Sequence, residues 1–189
     1  YGTHLLPFGV PFVHPPAFVH PKLSLDPATG NYLMLSENGA NVNVHLFGEQ
    51  PDAVGLTFVG SLNGEGEFVY EYDAAYADDA FLAVWLSMDG RQQMNLSGRY
   101  FPAGEPEAGS PDFSVETEYS TQHLQLLHDG LTGQYFLFYT VMDMDMDVLQ
   151  ARVIDGNGVG APISLGYLPP GYSDLNIVPL EDGLLAAVW

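Results

Sequence analysis

Three aspartates alternate with methionines in Asp143-Met144-Asp145-Met146-Asp147. Carboxylates at i, i+2 and i+4 can converge on a hard cation where a loop curls around it, so Asp143, Asp145 and Asp147 are a candidate site for Ca2+ or another divalent cation. The run lacks the glycine at the sharp turn and the distal glutamate of an EF-hand loop, and so matches only the first half of one. In an extended hairpin the same aspartates would line one solvated face, with Met142, Met144 and Met146 packing on the other.

His20 and His123 are the second metal candidate. They stand 103 positions apart, the same offset that separates Asp26-Pro-Ala-Thr-Gly30 from Asp129-Gly-Leu-Thr-Gly133, so they fall at equivalent places in an internal repeat. Imidazoles from facing strands could hold a metal. The matching positions, Val69 and Ser173 or Asp174, leave the ligand set incomplete, and the alternative is two polar residues at the mouth of a channel. His4, His14, His45 and His128 have no informative spacing.

No Gly-x-Ser-x-Gly elbow, phosphate loop or His-Glu-x-x-His occurs. The chain is therefore read as a non-enzymatic binding or structural module for a protein or glycan partner. Tyr119, Tyr167 and Tyr172 are loop aromatics of the type an interface uses. The reading from a different class is a carbohydrate-active hydrolase or lyase with acidic residues ringing a channel mouth.

Charge narrows the partners. Four basic residues against 24 acidic ones give −20. Lys22, Arg91, Arg99 and Arg152 cannot assemble a patch that holds phosphates, which excludes nucleic acid. No run of eighteen apolar residues occurs, so no membrane-inserted helix is expected. An acidic surface suits an exported product, extracellular, periplasmic or on the cell surface; Tyr rather than Met in first place fits a mature, trimmed or excerpted chain, and the absence of cysteine is compatible with every compartment.

The elements that must position these residues are short apolar runs cut by turn residues. In the best-defined stretch they are His123–Leu127, Gln134–Thr140, Val148–Ile154 and Ala161–Leu165. The second run of each repeat ends at Ser36, Trp85, Tyr139 and Trp189, spacings of 49, 54 and 50. Four short strands per period near fifty, with almost no helix, describe a β-propeller, whose blades bury their faces only against neighbours. Glu37-Asn-Gly-Ala40 and Met88-Asp-Gly-Arg91 are expected as tight turns. Ala74–Ala80 is expected as a longer acidic turn replacing Asp-x-x-Thr-Gly in the second repeat.

Asp26-Pro-Ala-Thr-Gly-Asn-Tyr-Leu-Met-Leu, Asp129-Gly-Leu-Thr-Gly-Gln-Tyr-Phe-Leu-Phe and Phe81-Leu-Ala-Val-Trp85 resemble the blade repeat of secreted bacterial and archaeal β-propellers. Asp147-Val-Leu-Gln-Ala-Arg-Val-Ile-Asp-Gly-Asn-Gly158 resembles the third strand and following turn of that repeat. In size the chain is similar to four-bladed hemopexin-type propellers, although their blade motifs are absent. The fold expected is all-β and four-bladed, with blades at about 18–60, 67–116 and 121–166. Residues 172–189 plus 1–15 make a shared fourth blade. That seam closes within one molecule or head to tail between molecules, which makes self-association through the terminal half-blades a second class of partner.

Overall fold

The computed structural model describes residues 4–5, 11–12, 19–39, 41–50, 53–62, 64, 67–102, 111–118, 120–155, 158–169, 175–179 and 185–188. Among them every regular element is a strand, as the apolar patterning predicts. Tyr119, Tyr172, His14, Ser173, Asp174 and most of the expected terminal half-blades lie outside the described residues.

β1 (His4–Leu5) pairs with β2 (Pro11–Phe12). The first large sheet is the meander β3 (Val19–Leu25), β4 (Tyr32–Asn38), β5 (Asn41–Gln50) and β6 (Ala53–Ser61). The second repeats it with β7 (Phe68–Ala77), β8 (Ala80–Met88), β9 (Met94–Pro102) and β10 (Phe113–Glu116). The third comprises β11 (Gln122–Asp129), β12 (Gln134–Asp143) and β13 (Met146–Asp155), with β14 (Gly158–Val159) and β15 (Ile163–Tyr167) both on β13. β16 (Asn176–Pro179) pairs with β17 (Leu185–Val188) as a separate two-stranded sheet. Among the described residues β1–β2 and β16–β17 are not joined into one sheet, and no sheet closes on itself.

Strand periodicity stacks the sheets. In β8, Phe81, Ala83 and Trp85 point to the first sheet and pack with Leu33, Leu35 and Val44. Leu82, Val84 and Leu86 point the other way, onto Leu124, Leu137 and Tyr139 of the third. Successive side chains of a strand leave on opposite faces, so a strand covered on both must be apolar throughout. This is why Phe81–Leu86 reads as an unbroken run. β12 repeats the scheme, since Phe138 turns from the second sheet toward Ile177. Gly98 has its own packing reason: it pairs with Phe113, whose ring would lie 2.1 Å from a Cβ built there.

The Asp-x-x-Thr-Gly turn forms twice alike. Asp26 Oδ1 accepts from the N–H of Ala28 at 2.9 Å, and Asp129 Oδ1 from that of Leu131 at 2.9 Å. The Thr29 hydroxyl donates to Asp26 Oδ2, and the Thr132 hydroxyl to Asp129 Oδ2 at 2.6 Å. Gly30 and Gly133 close the turns at φ 75° and 70°, a left-handed conformation that glycine adopts without penalty. The second repeat departs from expectation. Ala77 pairs with Ala80 across a two-residue turn, with Asp78 and Asp79 both at positive φ, so the turn there is shorter rather than longer. Two aspartates tolerate the left-handed region well enough to make a hairpin turn without glycine. Asn38 and Asn41 flank the expected tight turn. Met88 pairs instead with Met94 across five residues, because Asp89 Oδ1 gathers the N–H groups of Arg91 and Gln93.

Candidate functional site

The first strand of each large sheet lies beside its counterpart in the next, β3 against β7 and β7 against β11. β3 and β11 break register near their starts, between Val19 and Lys22 and between Gln122 and Gln125. His20 (φ 47°) and His123 (φ 56°) sit inside these breaks. His20 Nδ1 lies 3.3 Å from Glu37 Oε1, and His123 Nδ1 lies 3.0 Å from Thr140 Oγ1. Each histidine thus contacts β4 or β12 of its own sheet, with β7 standing between them. Among the described residues no three histidine, aspartate or glutamate side chains gather as a metal would require.

Glu71 and Asp73 on β7 are two carboxylates with altered proton affinity. Burial pushes the Glu71 carboxyl up, partly offset by His123 and Lys22. Burial pushes Asp73 up as well, against the N–H of Leu126 and the charge of Lys22. Their positions explain the burial: Asp73 Oδ2 accepts from Leu126 N on β11 at 2.8 Å, tying one sheet to the next. Gln125 repeats the tie one sheet on. Its Nε2 donates to Ile177 O at 2.8 Å, while Ile177 N donates to its Oε1 at 2.7 Å. The register makes these residues equivalent, because Lys22, Asp73, Gln125 and Asn176 pair with Leu35, Val84, Phe138 and Val188.

The Asp143–Asp147 segment is a hairpin with Met144 and Asp145 at its two-residue turn, at φ 46° and 69°. Asp143 pairs with Met146, and Met142 with Asp147. Directly paired residues share a face, so Asp143 and Asp147 project to opposite faces instead of lining one. The methionines do not pack as expected either. Met142, Met144 and Met146 are all exposed, Met144 at 91%, because the pairing carries the tip to its last two residues.

Between the second and third sheets runs a polar groove that no sequence spacing announced. One lobe of about 610 Å³ is lined by Gln92 and Gln93 before β9, by Glu116, Thr117 and Glu118 at the end of β10, and by Gln150 and Arg152 on β13. An adjoining lobe of about 280 Å³ shares Glu118 and Gln150 and reaches Asp143, Ser164 and Tyr167. The walls are fixed locally. Thr121 donates its N–H and hydroxyl to Glu118 O at 3.0 and 2.7 Å. Arg152 is held by Tyr139 Oη and Gly160 O, each at 2.9 Å. Tyr167 is 61% exposed, and its hydroxyl lies 3.3 Å from Asp143 Oδ2. The groove draws on five chain segments, and of its lining residues only Asp143 and Tyr167 were candidates from sequence.

No family model and no curated protein matches the chain. Among solved structures, the chain is similar to a thermostable family-43 glycoside hydrolase, with a TM-score of 0.52 and 12% identity over 82% of this chain and 55% of that one. At that identity the likeness is one of fold: the neighbour is a five-bladed β-propeller, and this chain shares its all-β, propeller-like arrangement of antiparallel sheets. The chain thus spans about half the length of the structure it matches.

Proposed function

We propose that the chain is a non-catalytic, propeller-type module that holds an uncharged glycan in the groove between its second and third sheets. The observation that carries this reading is the lining itself. The side-chain amides of Gln92, Gln93 and Gln150 each present a donor and an acceptor on one rigid plane, which suits adjacent sugar hydroxyls. Glu116 and Glu118 add acceptors, and the exposed Tyr167 ring at the far end offers a flat apolar face to a sugar ring. A net charge of −20 repels anionic polysaccharides. Such a ligand belongs outside the cytoplasm, in keeping with an exported, acidic product.

The buried carboxylates support binding over hydrolysis, since Asp73 is occupied in joining two sheets. Hydrolysis remains the second reading because the structural neighbour is a glycoside hydrolase. Calorimetric titration with neutral oligosaccharides of several sugar types separates the two. Saturable binding that Tyr167→Ala and Gln150→Ala each weaken about tenfold or more supports the module. Release of reducing ends by the wild type, lost in Glu118→Gln, would replace binding with hydrolysis. Binding of none of the sugars removes both readings of this groove.

A further inference from the structure

We propose that the ligand of the groove is a linear oligosaccharide of at least three sugar units, threaded lengthwise from Arg152 at one end to Tyr167 at the other; the proposal rests on the glycan reading above. The groove is a passage between two unequal lobes. They hold about 610 and 280 Å³ and have Glu118 and Gln150 in common, so a ligand that fills both passes between these two side chains. A sugar chain suits such a waist, being broad at its rings and slim at its linkages. The smaller lobe takes one ring, and the larger, about twice its volume, takes two. The waist is fixed before a ligand arrives. Thr121 clamps Glu118 O, and Ser120 Oγ bonds Met142 N at 3.2 Å and Met142 O at 3.4 Å, tying the loop after β10 to β12. Gln150 lies within β13, paired with Tyr139 on one side and Ser164 on the other.

Each end carries an anchor with unused capacity. Arg152 donates through Nε to Tyr139 Oη and through Nη1 to Gly160 O. Among the described residues its Nη2 has no partner and no carboxylate pairs with it, although acidic residues outnumber basic ones 24 to 4. A guanidinium held on two sides with its remaining edge free presents paired donors to neighbouring oxygens of one sugar. Glu116 and Glu118 share the large lobe with it, and among the described residues their carboxylates make no hydrogen bond or ion pair, which leaves acceptors for the same ring. At the other end the Tyr167 hydroxyl lies by Asp143, and its ring is left to stack on the last sugar.

Calorimetric titration with cellobiose and cellotriose, maltose and maltotriose, and the matching mannan, xylan and galactan pairs tests the proposal. For the sugar type that binds, the trisaccharide is expected to bind roughly tenfold or more tightly than the disaccharide. Tyr167→Ala is expected to abolish that ratio, and Tyr167→Phe, which keeps the ring, to retain it. Arg152→Ala is expected to weaken both lengths about tenfold or more and to keep the ratio between them. Arg152→Lys does the same through loss of the planar fork while keeping a charge beside Tyr139, so the proposal is still decided where Arg152→Ala fails to fold. Equal affinity for disaccharide and trisaccharide, or a ratio that survives Tyr167→Ala, overturns the threaded chain and leaves a glycan groove in place. Binding of none of the sugars overturns the glycan reading and this proposal together.

Discussion

His20 and His123 are the same residue of two repeats. They stand 103 positions apart, both hold left-handed backbone at a register break, and each places Nδ1 against a β4 or β12 side chain, Glu37 or Thr140, that is again 103 positions from its equivalent. The conformation asks for glycine or asparagine. His123→Val, branched at Cβ, should therefore cost about 1–2 kcal/mol. His123→Gly should stay within about 1 kcal/mol of wild type, because relieved strain offsets the added freedom of the unfolded chain. Urea denaturation of both variants measures the difference; equal losses would show that the imidazole, and not the backbone, matters there.

The paired Asp-x-x-Thr-Gly turns predict acid sensitivity. Burial alone would raise the Asp26 carboxyl, but the hydroxyls of Thr29 and Tyr76 and the N–H groups of Ala28 and Thr29 outweigh it and hold it below its ordinary value. Asp129 is lowered by Thr132 and the N–H of Leu131. A carboxyl depressed in the folded state stabilises it fully above the unfolded value of 3.8, and that contribution fades as pH falls through the lower folded value. Asp26→Ala should cost about 1–3 kcal/mol at neutral pH and flatten the acid limb of stability against pH. Melting curves taken from pH 7 downward check both statements.

Asp73 has the opposite sign. Its carboxyl is raised by burial, so ionisation works against the folded state, and stability drops as pH climbs from 3.8 through the raised value. Asp73→Asn keeps an oxygen for the Leu126 N–H and removes the charge. It should match or exceed the wild type at neutral pH, with the gap narrowing toward pH 4. Asp73→Leu leaves that N–H without its partner and should lose about 1–3 kcal/mol. Denaturant titrations of the two variants at two pH values decide between a structural tie and a role in chemistry.

A cation at the Met142–Asp147 hairpin would draw on Asp145 with only one of its two neighbours, since Asp143 and Asp147 leave on opposite faces. Two carboxylates make a weak site, with an affinity no better than about millimolar. Calcium titration should then give a small rise in melting temperature that Asp145→Asn abolishes. A response that survives this substitution would place the ion elsewhere.

The strands and their stacking were legible because their causes are local. An unbroken apolar run such as Phe81–Leu86 has to be covered on both faces, and Asp with Thr and Gly at fixed spacing closes one kind of turn. The turn of the second repeat is not legible because Asp78 and Asp79 make it tight with no glycine to mark it. The length of the Met88–Met94 loop is not legible because a single side chain, Asp89, gathers the N–H groups of Arg91 and Gln93 within it. The groove was not legible at all. Gln92, Glu118, Gln150 and Tyr167 belong to separate segments, and only the packing of the second sheet on the third brings them together.

The stacking order also governs how the molecule comes apart. Among the described residues the buried clusters join each large sheet to the sheet beside it, so stability is passed along the row as in a one-dimensional array, and unfolding can begin at an outer sheet without breaching the middle. β8, whose Phe81–Leu86 segment is covered on both sides, is the last to open. Amide hydrogen exchange should accordingly form a gradient, slowest at Leu82–Leu86 and faster toward β3 and β17. Exchange at one uniform rate throughout would mean that the row melts as a single unit.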